Sequence, residues 1–136
     1  MLIGRSFITF FLLFPLLIGN ITNVRAANSW APILVLDNGD QVLWRMISER
    51  DKNGFMAIEE KRELMKKKGK IKSYITRLDI DCDRARIQEV SYDYFSDIDA
   101  KEFIEKRVIQ TGQRRWAHAE FNEYVYFMTN YFCFDD

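Results

Sequence analysis

The sequence has few of the residues on which most catalytic chemistry depends. It contains two cysteines and one histidine in 136 residues, so the usual nucleophiles and metal ligands are scarce. No glycine-rich phosphate loop and no HExxH, GxSxG or CxxC motif is present. These absences exclude the common motif-based enzyme classes. The sequence therefore predicts a protein that is not an enzyme and holds neither a cofactor nor a metal.

Long hydrophobic runs are missing beyond Ile18, where nothing approaches the roughly 20 apolar residues of a membrane-spanning helix. The one apolar run, Phe7 to Ile18, follows Arg5 and precedes Val24-Arg25-Ala26. This order is typical of a signal peptide with its cleavage site. We predict a signal peptide over residues 1–26 and a single domain over 27–136, with no stable membrane span after cleavage; an uncleaved anchor is the alternative.

An excess of positive charge is also missing. Removal of Arg5 and Arg25 with the signal leaves 18 basic residues against 20 acidic ones, a net charge of −2. Nucleic-acid binding needs a summed positive field that displaces counterions from phosphates. The balance predicts no nucleic-acid partner.

The two cysteines, Cys82 and Cys133, carry the clearest prediction. An exported chain meets an oxidising compartment, where two thiols without a third competitor most simply form one disulfide. The alternative is a free thiol that uses His118 as its base. That chemistry requires a thiolate, and export favours the disulfide instead.

Alternating apolar and polar residues predict the strands. Residues 31–36 and 42–49 flank Asn38-Gly39, a hairpin signal because both turn positions tolerate positive φ. Ser73 to Cys82 and Arg84 to Phe95 predict a second pair joined by a tight turn, with a bulge between Ile87 and Val90. A further short strand is expected around Trp116.

Three segments carry helical signals. Phe55 to Lys68 has glutamates before lysines at helix-favouring spacing and Gly69 at its end, which favours a helix or a charged excursion. A strand through part of this segment is the alternative. Ser96 to Ile109 begins with capping residues and predicts a second helix. A terminal helix, capped by Asn122, places a 3.6-residue aromatic stripe on one side. The expected fold class is α+β, a small antiparallel sheet with a packed C-terminal helix and one disulfide.

Two charged groups invite a functional interpretation. Asp79, Asp81 and Asp83 suggest a calcium loop, but Arg84 and Val90 occupy the positions where its Gly and Glu belong. A solvated strand face with arginine partners is therefore expected.

The basic residues predict a partner-binding surface. They are a lysine cluster with two arginines near the last strand: Lys66, Lys67, Lys68, Lys70, Arg114 and Arg115. The lysines would attract an acidic partner, whereas the alternative is a solubilising helix end balanced by the preceding glutamates.

Several of these motifs together resemble the surface-adhesin protein E family of bacterial exported domains. They are Val42-Leu43-Trp44, the run Leu78-Asp79-Ile80-Asp81-Cys82-Asp83-Arg84-Ala85-Arg86, then Tyr92, Trp116 and the final Cys133. The resemblance spans the chain from about Asp37 onward. It implies a small antiparallel sheet with a packed helix and a disulfide from the core strand to the C-terminus. Some members are surface proteins that bind extracellular-matrix glycoproteins.

The chain departs from the family in three features. The region before Trp44 is short, Ser96 to Ile109 has a helical pattern where the family carries a strand, and the lipid-anchor cysteine of an adhesin is missing. We therefore expect an exported non-enzymatic binding domain, adhesin-like, that contacts a matrix protein or acidic glycan. The alternative is a periplasmic inhibitor or envelope accessory protein that binds another protein. Its location would be periplasmic, secreted or at the cell surface.

Overall fold

The computed structural model describes residues 29–134, so the predicted signal peptide lies outside the described residues. Within these residues, seven strands and one α-helix form the fold. They are β1 (Ala31–Val35), β2 (Gln41–Ser48), β3 (Phe55–Lys68), β4 (Ile71–Asp81), β5 (Arg86–Phe95), β6 (Phe103–Val108), β7 (Trp116–His118) and α1 (Glu123–Cys133). Single 3₁₀ turns cover Thr111–Gln113 and Ala119–Phe121. The predicted fold class is confirmed.

The strands form one antiparallel sheet in the order β1-β2-β3-β4-β5-β6, and β7 also pairs with β5. Successive strands are neighbours, as short hairpin connections require. Both expected hairpins are present, and Gly39 has a φ of +87° in the first turn. The predicted bulge falls at Val90, because Arg77 pairs with Ser91 while Leu78 pairs with Glu89.

One face of the sheet carries the core, because alternate residues of each strand point to the same side. Buried apolar residues of β3, β4 and β5, together with Cys82 directly after β4, meet two residues of α1, Val125 and Met128: they are Met56, Ile58, Leu78, Ile80, Cys82 and Ile87. Trp44 of β2 packs edge-on against Phe132, with ring centroids 4.8 Å apart. The helix thus covers the middle of this face.

The terminal helix is held at both ends. The Asn122 side chain accepts the backbone N–H of Val125, which confirms the predicted cap. At the other end Cys133 is bridged to Cys82, with the two Cα atoms 5.5 Å apart. The predicted stripe began at Phe121, which is 83% exposed. Its other members are buried or half-buried: Tyr124, Val125, Met128, Tyr131 and Phe132.

The helix predicted over Phe55 to Lys68 is wrong, since this segment is the long strand β3 and its alternative was correct. It pairs with β2 on one side and β4 on the other, so two ladders satisfy its backbone. The charges in its first two-thirds are paired within the sheet: Arg45 with Glu59, Arg62 with Glu60, and Lys61 with Glu63. Tertiary pairing overrides the local helical preference.

The helix predicted over Ser96 to Ile109 is also wrong, because Phe103–Val108 forms strand β6. Asp97 caps as expected, and its side chain accepts the backbone N–H groups of Lys101 and Glu102. Those hydrogen bonds hold a loop instead of a first helical turn, since Ala100 has a φ of +57°. The strand then pairs with β5 along the edge of the sheet.

The aspartates of the central run are not all solvated, which corrects another expectation. Asp81 is fully buried, while Asp83 lies exposed in the following turn. The Asp81 carboxylate accepts hydrogen bonds from Arg86 Nε at 2.9 Å and from Arg84 Nη1 at 3.3 Å. Burial opposes the charge, but these arginine hydrogen bonds and the Arg84 backbone N–H outweigh it, so the pKa of Asp81 is lowered.

No helix within residues 29–134 has the length and apolar content that a bilayer crossing requires.

Candidate functional site

The predicted lysine cluster lies at the tip of the hairpin between β3 and β4. Its members Lys66, Lys67, Lys68 and Lys70 are all exposed, and Lys72 adds a fifth exposed lysine. Gly69, which was expected to end a helix, makes the turn of this hairpin with a φ of +59°. We call Lys66–Lys68, Lys70 and Lys72 the lysine hairpin.

The glutamates that precede these lysines do not balance them. Glu59, Glu60 and Glu63 lie in the paired part of β3, and each forms its ion pair with a residue outside the lysine hairpin. Over residues 29–134, no carboxylate lies within 4 Å of any of the five ammonium groups. The lysine hairpin is therefore a concentrated positive charge, whereas the rest of residues 27–136 has 13 basic and 20 acidic residues.

The two predicted arginines lie in a different place. Arg114 Nε donates to the carbonyl of Ile109 at 3.0 Å, and Arg115 Nη1 donates to the carbonyl of Gly112 at 3.1 Å. Arg115 lines a cleft on the helix side of the sheet, which none of the lysines does. The predicted partner-binding residues thus divide between two sites.

This cleft lies beside the start of α1 and has a volume of about 310 Å³. Its floor is built by β3, β4 and β5, and its rim by the chain around β7 and the helix. The lining side chains, which combine charge with tyrosine rings, are Glu60, Arg62, Tyr74, Thr76, Leu78, Ile87, Glu89, Tyr92, Arg115, Ala117, Asn122, Tyr124 and Val125. We call it the sheet–helix cleft.

Glu60 and Arg62 follow the apolar residues Met56 and Ile58 on the same face of β3. Glu60 is only 3% exposed, and Arg62 Nη2 donates to its Oε1 at 3.1 Å. Burial raises the pKa of Glu60, and the Arg62 guanidinium offsets this only in part. A buried carboxylate therefore depends on one arginine in this cleft.

Three tyrosines form much of the remaining wall. The Arg62 guanidinium lies 5.6 Å from the Tyr74 ring centroid and 6.0 Å from that of Tyr124, within range of a cation–π contact. Tyr92 donates its hydroxyl to Glu89. Burial raises the pKa of Tyr74 and of Tyr92, and the Glu89 hydrogen bond adds to the effect on Tyr92. Both phenols therefore stay protonated donors at neutral pH.

Sequence reasoning missed this cleft because it assigned β3 to a helix. In a strand, Met56, Ile58, Glu60 and Arg62 share one face, so the core side changes from apolar to charged partway along. In the sheet, Glu60 lies opposite Thr76 of β4 and Arg62 lies opposite Tyr74, and this strand register brings the polar side chains of the cleft together. That alignment is a tertiary pairing, and the local pattern did not indicate it.

The other candidate chemistries have no arrangement to support them. Both cysteines are bridged, so neither supplies a thiolate to His118, which lies exposed in β7. Within residues 29–134, no cluster of three potential metal ligands is present.

The geometry defines a class of fold: a single antiparallel sheet with one C-terminal helix, tied to the central strand by a disulfide. Solved structures of protein E from Haemophilus influenzae have the same fold. Crystal form II is 11% identical, has a TM-score of 0.56, and the match covers 82% of this chain and 91% of that one. The selenomethionine form is 9% identical with a TM-score of 0.55 and coverage of 82% and 89%. A structure from a non-typeable strain is 10% identical with a TM-score of 0.52 and coverage of 82% and 78%.

The sequence itself matches no family model and no curated protein. At such low identity the structural likeness shows the fold, and the resemblance expected from the sequence is confirmed at that level.

Proposed function

We propose that this chain is exported and acts as a non-enzymatic, adhesin-like binding domain. It contacts an acidic partner, a matrix glycoprotein or a sulfated glycan, through the lysine hairpin. The observation that carries this proposal is the set of five exposed lysines without carboxylate partners in the described part of the chain. The protein E fold and the expected signal peptide support an extracellular role.

Clustered charge of this kind acts over distance. At 0.1 M salt the Debye length is about 10 Å, so lysines on one hairpin tip sum their fields at an approaching anion. A flexible ammonium suits a sulfate or carboxylate that presents several oxygens without fixed geometry. The attraction should therefore be strong in low salt and weaken as salt rises.

The test is solid-phase binding of the oxidised domain to heparin and to immobilised matrix glycoproteins over a salt series. The variant K67A/K70A removes two charges of the lysine hairpin. Its matched control, K52A/K101A, removes two exposed lysines elsewhere. We expect K67A/K70A to weaken binding about five- to tenfold, with little change in the control. No saturable binding by the parent domain, or an equal loss in both variants, would overturn the proposal.

A second candidate function is an envelope accessory or inhibitor that binds another protein. It is favoured by the edge strand β6, where Phe103 is 59% exposed and Val108 is 52% exposed. Exposed sheet edges with apolar side chains are sites at which a partner adds a strand. Cell fractionation distinguishes the two functions: recovery at the surface or in the medium supports adhesion, whereas a soluble periplasmic pool supports the accessory role.

A further inference from the structure

The sheet–helix cleft contains polar atoms whose hydrogen-bonding capacity is unused within residues 29–134. They are Glu60 Oε2, Arg62 Nε and the Tyr124 hydroxyl. All three belong to side chains that line the cleft. A buried polar atom without a partner costs free energy. One acceptor, one donor and one group that is both therefore belong to the wall of the same cleft.

The fixed charges of the cleft are already balanced. Glu60 and Glu89 oppose Arg62 and Arg115, and Glu60 shares one oxygen with Arg62 at 3.1 Å. An ammonium that entered would meet two guanidinium groups, and an anion would meet two carboxylates. Either ion would also lose its hydration on entering. A neutral ligand avoids both costs.

A hydroxyl group has the hydrogen-bonding capacity that these atoms require. It donates one hydrogen bond and accepts others, so hydroxyls match both the acceptor Glu60 Oε2 and the donor Arg62 Nε. A neighbouring hydroxyl can pair with Tyr124. The ligand should therefore carry several hydroxyls on adjacent carbons.

The walls of the cleft favour a ligand with an apolar face as well. The rings of Tyr74 and Tyr92 have centroids 6.3 Å apart and line the cleft beside the charged groups. Small-molecule sites commonly combine aromatic walls with a few convergent polar groups, at volumes of about 300–1,000 Å³. A pyranose ring presents C–H faces and peripheral hydroxyls in one compact body.

We propose that the sheet–helix cleft binds a neutral saccharide unit, with Glu60, Arg62 and Tyr124 as its hydrogen-bonding residues. This proposal does not depend on the lysine hairpin, which lies outside the cleft and addresses acidic partners. The same chemistry is offered by a free sugar and by the neutral end of a longer glycan.

The test is saturation-transfer NMR and calorimetry on the oxidised domain with glucose, galactose, mannose and N-acetylglucosamine. An array of neutral-ended glycans forms a second arm. Binding to free sugars in the first arm identifies a monosaccharide site, and binding in the array alone identifies recognition of a glycan end. Methylguanidinium and acetate serve as charged probes.

The key variant is Tyr124→Phe, which removes a buried hydroxyl that forms no hydrogen bond within the described residues; its thermal midpoint should equal or exceed that of the parent. Tyr126→Phe, at an exposed position of the same helix, is its matched control. We expect Tyr124→Phe to weaken sugar binding about fivefold and Tyr126→Phe to leave it unchanged. Glu60→Gln, a second variant, should weaken it about tenfold.

The lysine variant K67A/K70A should bind sugar normally, which separates this proposal from the preceding one. Failure of every sugar and glycan to bind the parent domain would overturn the saccharide-binding proposal. So would equal affinity in the parent and both cleft variants, or saturable binding of methylguanidinium or acetate that displaces the sugar.

Discussion

The disulfide between Cys82 and Cys133 should supply a large share of the stability of this domain. The bridge joins residues 51 positions apart. In the chain-entropy model, a closed loop of that length stabilises the folded state by about 4 kcal/mol. Small domains have net stabilities of about 5–15 kcal/mol. Loss of the bridge should therefore remove a substantial fraction of the margin and lower the thermal midpoint by about 15–30 °C.

The folded structure should survive that loss at 25 °C. Helix α1 is also anchored by Val125 and Met128, which are buried against the sheet, and by the contact of Phe132 with Trp44. These contacts do not require the bridge. Because the effect falls mainly on the unfolded chain, circular dichroism of the reduced protein should retain the native signal.

The assay is urea denaturation of the oxidised protein, the reduced protein and the variant C82A/C133A. The variant also loses sulfur packing at Cys82, which is 3% exposed, so it should be slightly less stable than the reduced parent. Added reductant should not affect the variant, which is the internal control. A difference below about 1 kcal/mol between oxidised and reduced protein would refute the reasoning, because it would mean that the bridge constrains the unfolded chain very little.

Two further predictions concern buried carboxylates, each measured by urea denaturation as a function of pH. Asp81→Asn should cost about 2 kcal/mol at neutral pH, because it leaves Arg86 without its charged partner. Because the folded pKa of Asp81 is lowered, this contribution is present above about pH 3.9 and is lost as pH falls through the folded value; an unchanged difference in acid would contradict it. The pH dependence of the Glu60 contribution to stability has the opposite sign, because the pKa of Glu60 is raised. Its contribution is present below about pH 4.3 and is lost as pH rises through the folded value, so Glu60→Gln should flatten this decline; a variant with the parent's slope would contradict the assignment.

Strands with regular alternation were predictable from the sequence. Leu78, Ile80 and Cys82 alternate with aspartates and are buried as expected, and β5 contains the bulge where the alternation slips. The hairpin turn at Asn38-Gly39 and the cap at Asn122 were equally readable. Each of these features depends on residues close together in the chain, so local chemistry was sufficient.

The two errors have a common physical cause. Segment Phe55–Lys68 has few apolar residues, and its glutamate and lysine spacing favours a helix when the segment is considered alone. Within the sheet, β2 and β4 supply both backbone ladders, and Arg45 supplies a charge partner for Glu59. In β6 all six residues are exposed, so no buried face produced a detectable period.

The candidate sites differ in the same way. The lysine hairpin is a contiguous run, and its charge was evident before its position was known. The cleft joins Glu60, Tyr74, Tyr92 and Tyr124, which come from four separate elements. No window of the sequence contains them together.

The amino-acid sequence alone determined that this is a small α+β domain with one covalent bridge, because two cysteines, short alternating segments and an aromatic terminal helix leave few other arrangements. Tertiary structure alone decided that the charged segment Phe55–Lys68 is a central strand. That pairing separated the glutamates from the lysines and brought Glu60 and Arg62 into a cleft with three tyrosines. The reason is physical: backbone pairing and burial are settled between distant segments, and their free energies exceed the local preferences that a sequence displays.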